Sequence, residues 1–284
     1  MHHAERRVIA GPAYVDFSLD SPDRALTWSE FDHAAANLAH RLLALGVGPG
    51  DGVAVWHKDI SAIHVLLVAI ERCGAVIVGL GARAGVREVT VILRTARPAL
   101  LVSDVERRQS AAQAAADTAA DLPLRAVVLG DGLGDDSAEL FIDTTPRPDG
   151  MSGLPPVGPD DVFLINSTSG TTGLPKCVVH TQNRWHYFHQ KAVANGKLTS
   201  DDVFLPLIPT PFGFGIWTSH TTPIHLGAKT VRTERFDPAA TCAAIARHHA
   251  TVLCCVSTQL GDDPGQPRLP GLRPHQPARL LHRW

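Results

Sequence analysis

At 284 residues, 44% of them apolar, with a formal net charge of −2, the chain is long enough to bury a substantial core and to fold as more than one unit. The near-neutral balance gives no electrostatic footprint for nucleic acid. Five cysteines (Cys73, Cys177, Cys242, Cys254 and Cys255) form no C-x-x-C pair, which predicts reduced thiols and a cytoplasmic setting. The N-terminus has no apolar signal core, and the longest apolar stretch, Ile60 to Leu80, is cut by Glu71, Arg72 and Gly74, so a soluble chain with no transmembrane segment is expected.

Thr27 followed by Glu30 reads as a capping box, and Phe31, Ala34, Leu38, Leu42 and Leu45 recur at helical spacing until Gly46 ends the run. A turn over Gly46 to Asp51 leads to a strand at Val53–Trp56, a helix at Ser61–Arg72 and a strand at Ala75–Leu80. Then come a helix over Val86–Thr95, a strand at Ala99–Val102, an alanine-rich helix at Arg108–Ala120 and a strand at Ala126–Leu129. Strands separated by helical patterns of this length predict an α/β fold of βαβ units around a parallel sheet. Asp131–Pro159 is rich in Gly, Asp, Pro and Thr, with one short extended piece around Leu140–Ile142. It reads as a joint between a first α/β subdomain, 1–150, and a second, 151–260.

Ile165 to Lys176 reads Ile-Asn-Ser-Thr-Ser-Gly-Thr-Thr-Gly-Leu-Pro-Lys, between the apolar runs Val162–Ile165 and Cys177–Val179. Gly170 and Gly173 permit positive φ and close backbone approach, so amide N–H groups can converge on an anion. Ser167, Thr168, Ser169, Thr171 and Thr172 add hydroxyls and Lys176 a point charge. A Walker A loop needs Gly, four residues, then Gly-Lys-Ser/Thr opening a helix. Here Pro175 stands where the second glycine belongs and Cys177 follows the lysine, so the loop is expected to join two strands.

A helix-like run follows through Trp185, Phe188 and Val193, then a strand at Asp202–Ile208 and the stretch Pro209-Thr-Pro-Phe-Gly-Phe-Gly-Ile-Trp217. Gly227–Val231 reads as a strand, Asp237-Pro238 opens a capped helix to His249, and Thr251–Ser257 reads as an apolar strand. His186 and His189 stand three apart, but no Cys, Asp or Glu completes a ligand set at the usual spacing, so no metal site is expected. From Gly261 onward Pro264, Pro267, Pro270, Pro274 and Pro277 break any helix, and 261–284 is expected to be a disordered, out-of-frame tail.

Thr168-Ser-Gly-Thr-Thr-Gly-Leu-Pro-Lys176 resembles the phosphate-binding signature of the adenylate-forming (AMP-binding) superfamily, of the acyl- and aryl-CoA synthetase type. Leu26–Phe31, the Cys73-Gly74-Ala75 turn, Pro209 with Gly215, and Gly227–Val231 are similar to further stretches of that family. The chain departs from the family at Cys177, where Gly is usual, at Gly79–Arg83, where an Asn-Pro pair is common, and at Phe212, where His is usual. The resemblance, over about Val15 to Gln259, implies the N-terminal part of a large domain built of stacked mixed and parallel sheets flanked by helices. It implies ATP with Mg2+, coenzyme A as co-substrate, and a small-molecule carboxylic acid that attacks the α-phosphate and is then passed to the thiol. Thr168, Ser169, Gly170, Thr171, Thr172, Gly173 and Lys176 would hold the phosphates. Phe212, Phe214, Gly215 and Trp217 would line an apolar acyl pocket, and no acidic residue stands there to pair an amino acid's ammonium. The family's Tyr-Gly-x-Thr-Glu segment, ribose-binding aspartate and adenylation lysine are not found in this sequence. A catalytically incomplete ligase half is therefore expected, and the alternative is a non-catalytic nucleotide-binding or interaction fragment.

Overall fold

The computed structural model of the chain describes residues 11–133, 138–168, 176–256, 259 and 279–282. It opens with two strands that local hydropathy does not signal, β1 (Pro12–Phe17) and β2 (Arg24–Thr27). β1 is buried along most of its length and so lacks the alternation of a half-exposed strand. The capping box then forms as expected: Thr27 Oγ1 accepts from the Glu30 N–H, and the Glu30 carboxylate accepts from the Thr27 N–H at 2.8 Å, which starts α1 (Trp28–Ala44).

β3 (Gly52–Trp56), α2 (Ser61–Arg72), β4 (Val76–Gly79), α3 (Val86–Ala96), β5 (Leu100–Ser103), α4 (Arg108–Thr118) and β6 (Arg125–Leu133) follow close to their expected positions. β7 (Leu140–Ile142) is the short extended piece of the joint. Beyond it come β8 (Val162–Thr168), β9 (Lys176–Thr181), α5 (Gln182–Gly196) and β10 (Val203–Pro206). A helical stretch follows, formed by α6 (Gly213–Ile216), a π-helical turn (Trp217–Thr221) and α7 (Thr222–Leu226). The described chain closes with β11 (Lys229–Thr233), α8 (Pro238–His248), β12 (Val252–Cys255) and β13 (Arg279–His282).

The strands form two sheets, seven in the order β7-β6-β5-β3-β4-β8-β9 and six in the order β13-β12-β10-β11-β1-β2. All neighbours run parallel except the edge pairs β8–β9 and β1–β2. The expected division at residue 150 does not match the way strands are shared. β1 and β2 join β10–β12 in one sheet, and β8 and β9 join the strands of the first half in the other. Local periodicity marks a strand but not its hydrogen-bonded neighbour, which is why the partition was not visible. The expected tail also needs correction for four residues: Arg279–His282 pairs with β12 in register from Val252↔Arg279 to Cys255↔His282. β12 is buried throughout, and its outer row of backbone groups favours a further extended segment. The rest of 261–284 lies outside the described residues.

α1 and α2 pack against strands of both sheets, and the largest core cluster, from Tyr14 through Leu38, Leu66, Ile77 and Leu164 to Ile216, fills the space between them. α3 and α4 cover the outer face of the seven-stranded sheet, and α8 that of the six-stranded sheet. No helix among the described residues is long and apolar enough to cross a membrane.

Within the seam between the sheets lies a buried polar network. Arg232 on β11, 2% exposed, pairs with the Asp59 carboxylate in the turn before α2 and donates to the Pro206 carbonyl at 3.1 Å. Asp59 also accepts from the Thr210 N–H at 3.0 Å and from its hydroxyl. Asp16 on β1 accepts from the Ser61 N–H at 2.7 Å and its hydroxyl at 2.6 Å, at the start of α2. Burial raises the Asp16 carboxyl above its usual range, and the Ser61 bonds oppose that shift. Removing one member of a buried ion pair leaves the other uncompensated, at about 3–5 kcal/mol. Arg232→Met is therefore expected to lower stability by about 3–5 kcal/mol in urea denaturation, with Asp59→Leu/Arg232→Met recovering part of the loss. A single-variant loss below about 1 kcal/mol would show that this pair does not hold the seam.

Candidate functional site

Residues 169–175 join β8 to β9 and lie outside the described residues, so Ser169, Gly170, Thr171, Thr172 and Gly173 receive no structural account. The base of the loop is described. Thr168 stands opposite Lys176 as the last pair of an antiparallel ladder that begins at Val162↔Thr181. Two strands thus frame the loop, in place of the strand and helix of a Walker A site. Lys176 is exposed, so its ammonium is open to solvent beside the loop. Cys177 keeps its place opposite Ser167, and its half-buried side chain packs on the cluster containing Val78 and Leu93. The cysteine therefore fits without breaking the hairpin, and burial pushes its thiol up.

β3, β4 and β8 run parallel, and the loop leaves from their carboxyl edge, where open parallel sheets place ligands. There Asn166 on β8 stands beside Gly79 on β4. Asn166 Oδ1 lies 3.0 Å from His180 Nε2 on β9. With the amide oxygen accepting, the imidazole proton belongs on Nε2, which leaves Nδ1 buried without a partner. Burial lowers the His180 pKa, and Arg184 adds to the shift. The ring packs edge-on against Trp185, with centroids 4.6 Å apart. Sequence reasoning missed Asn166 and His180; the available signal was that they flank the loop on consecutive strands.

The stretch 209–217 lies across this edge. Thr210 is fixed by Asp59 and by a 3.1 Å contact between its hydroxyl and that of Ser219. A Cβ on Gly79 would meet Pro211 at 3.2 Å, one on Gly81 would meet the Phe212 ring at 3.6 Å, and one on Gly213 would meet Asn166 Nδ2 at 3.1 Å. Gly79 thus lets Pro211 approach closely, Phe212 lies in ordinary contact range of Gly81, and Gly213 brings the stretch to the base of the hairpin. Of the expected acyl-pocket side chains, Phe214 and Trp217 stand together, with ring centroids 5.7 Å apart. Phe212 is 43% exposed, and Ile216 is buried in the core between the sheets. Phe214 packs on the cluster of Leu198 and Phe204, whereas Trp217 packs on the central core. The helical course of α6 and the π turn puts residues three apart on one face, which brings Phe214 to Trp217, whereas Phe212 precedes the helix. A small apolar cavity lies beneath the stretch, lined by Val55, Ile77, Leu164, Pro211 and Ile216 among others. No group of three or more His, Cys, Asp or Glu side chains able to hold a metal ion occurs among the described residues.

Gly215 is the closest approach in the stretch, since a Cβ there would stand 1.9 Å from the Pro209 carbonyl oxygen. Gly215→Ala must displace backbone and is expected to cost at least about 1–3 kcal/mol by thermal or urea unfolding. Unchanged stability would show that Pro209 and α6 are not packed this tightly.

A model of the family described as AMP-binding enzyme matches residues 2–262. The Mycobacterium tuberculosis protein named 3-[(3aS,4S,7aS)-7a-methyl-1,5-dioxo-octahydro-1H-inden-4-yl]propanoyl:CoA ligase is 35% identical over 245 residues, covering 83% of this chain and 47% of that protein. A feruloyl-CoA synthase from Amycolatopsis sp is 28% identical over 244 residues, covering 86% of this chain and 46% of that protein. Among solved structures, apo MatB from Rhodopseudomonas palustris shares the fold with a TM-score of 0.72 at 23% identity, over 89% of this chain and 48% of that one. The chain spans about half the length of these relatives. It belongs to the AMP-binding enzyme family.

Proposed function

We propose that this chain carries the phosphate-gripping and acid-facing part of an ATP-dependent acid:CoA ligase. The observation that carries this reading is the closeness of Gly213 to Asn166, whose Nδ2 would stand 3.1 Å from a Cβ on Gly213, which sets the 209–217 stretch against the β8–β9 ladder at the base of the 169–175 loop. In such a reaction a carboxylate oxygen bonds to the α-phosphorus of ATP, pyrophosphate leaves, and a thiol then takes the acyl group from AMP. Rate depends on holding the two reactants side by side and on donors aimed at the developing charge. Thr168, Ser169, Gly170, Thr171, Thr172, Gly173 and Lys176 would supply hydroxyl, amide and ammonium donors for a polyphosphate carrying Mg2+. The exposed Lys176 at the loop end of the antiparallel ladder fits that role.

The acid would lie along Phe212 and the apolar ground around it, with Gly215 and the half-buried Phe214 and Trp217 shaping the wall. Two relatives are named for a bicyclic alkanoic acid and for ferulate, and together with the absence of an acidic side chain in the stretch they favour alicyclic or aryl acids over amino acids. The residues for adenine, ribose and acyl transfer that the family resemblance calls for are not found in this sequence. Polyphosphate binding without thioester formation is therefore the reading for these 284 residues.

The test is equilibrium binding of magnesium triphosphate and of ATP to the chain and to Lys176→Ala, with a thioester assay on a panel of carboxylic acids and coenzyme A. The expected result is triphosphate binding weakened about tenfold by Lys176→Ala, as for one charge-assisted contact, and no thioester. Equal binding by both proteins would overturn the phosphate assignment. Lys176-dependent thioester would overturn the incompleteness.

A further inference from the structure

α5 meets the helical stretch 217–226 along a line of imidazoles. His186 and His189 on α5 stand with His225 on α7, ring centroids 5.9 Å apart for His186 and His189, 5.5 Å for His186 and His225, and 4.6 Å for His189 and His225. Sequence spacing showed only the first two. His189 is buried, with Nδ1 3.4 Å from the Thr222 hydroxyl. One turn back, His220 in the π turn places Nδ1 3.2 Å from Nδ1 of His64 on α2 and Nε2 3.6 Å from the Glu71 carboxylate, also on α2. His64 in turn stacks on Tyr14 of β1 at 4.4 Å. Among the hydrogen bonds between described residues, α5 is held to 217–226 by the Trp185 Nε1–H donated to Thr221 Oγ1 at 2.9 Å and by the His189–Thr222 contact.

The line is arranged for neutral rings. A contact between two Nδ1 atoms needs one protonated and one bare nitrogen, and Nε2 of His64 is buried without a partner. The tautomers that satisfy the partners are His64 donating from Nδ1 to His220 Nδ1, with the Nε2–H of His220 facing Glu71. A further proton on His64 would have to sit at Nε2, where nothing accepts it. The charged and titratable groups around the line are mostly ones that oppose an added proton. Burial, then His225 and His186, holds His189 down to about 4. Loss of water around its ring, then His186 and His220, lowers His225, with Glu71 opposing. Burial, then His220, Arg232 and His57, holds His64 well below its ordinary value.

We propose that this line of histidines is a pH-sensitive latch, closed by neutral imidazoles at neutral pH and opened by mild acid, which releases α5 from residues 217–226. The direction follows from linkage. A histidine whose pKa is lowered in the closed state takes up a proton on opening, so closure is at full strength above about 6.5 and is lost as pH falls from there toward the closed-state value. For His189 alone, with about 4 in the closed state, the opening equilibrium rises roughly thirty-fold between pH 7.5 and 5. The inference stands on the packing of α5, α7 and α2 and does not depend on what the neighbouring 209–217 stretch binds.

Hydrogen exchange of the whole chain, read on peptides from α5 and 217–226 and corrected for intrinsic rates, tests it. Protection there is expected to fall at least roughly thirty-fold from pH 7.5 to 5 while α1 and α3 stay constant, and His189→Gln should cut that change by about tenfold or more. The same pH response in His189→Gln, or no local response in the unmodified chain, would overturn the latch. Should His189→Gln fail to fold, imidazole titration of the unmodified chain decides. A His189 value below about 5.5 supports the latch, and one at or above that value overturns it.

Discussion

The buried pair of Arg232 and Asp59 is the constraint on which the site depends. Its two ends belong to different sheets, Arg232 to β11 and Asp59 to the turn between β3 and α2, and Asp59 spends its remaining acceptor capacity on Thr210. A buried ion pair is weak evidence for net stability, because desolvation opposes the Coulombic gain. That balance is visible here, since Arg232 Nε has no hydrogen-bond partner. What the pair supplies is placement. With the carboxylate fixed by the guanidinium, Thr210 has one position, and the residues after it begin from a defined point.

From that point the approach is governed by missing side chains. Gly79 lets Pro211 approach closely, Gly213 lets the backbone come close to Asn166, and Gly215 closes on the Pro209 carbonyl oxygen. None of these three approaches requires positive φ, and at Gly215 a Cβ has no room at all. The hairpin is treated differently, as a ladder in constant register from Leu164↔His180 to Thr168↔Lys176 whose edge position leaves the exposed lysine facing solvent. A rigid frame under a glycine-rich loop, and a pinned stretch beside it, are the two parts an acid-activating site needs to hold two reactants together.

Much of the fold was legible because it is local. The reciprocal bonds of Thr27 and Glu30 start α1, and the apolar run from Ser61 to Arg72 is helical over the span that its pattern announces. The hairpin frame, too, could be read from two apolar runs around a loop that fails the Walker A spacing. What could not be read was non-local or locally inconsistent. β1 has no alternation to mark it, and its membership of the six-stranded sheet depends on pairing with β11, some two hundred residues on. The stretch 213–226 is helical despite two glycines and β-branched residues, because Asp59 fixes Thr210 just before it, Tyr14 donates to the Ser219 carbonyl from outside, and the Ser219 hydroxyl donates back to the Gly215 carbonyl. The same helicity pairs Phe214 with Trp217 and leaves Phe212, which precedes the helix, exposed. His180 and Asn166 were invisible as a pair, since only the antiparallel register brings them together.

The central claim is that the 169–175 hairpin grips a polyphosphate next to the 209–217 stretch. The most direct measurement is backbone amide shift mapping by NMR during titration with magnesium triphosphate. The account predicts changes concentrated at 166–176, with a second set at 211–213 carried by the closeness of Gly213 to Asn166. Changes confined to other surfaces, or none at saturating triphosphate, would contradict it.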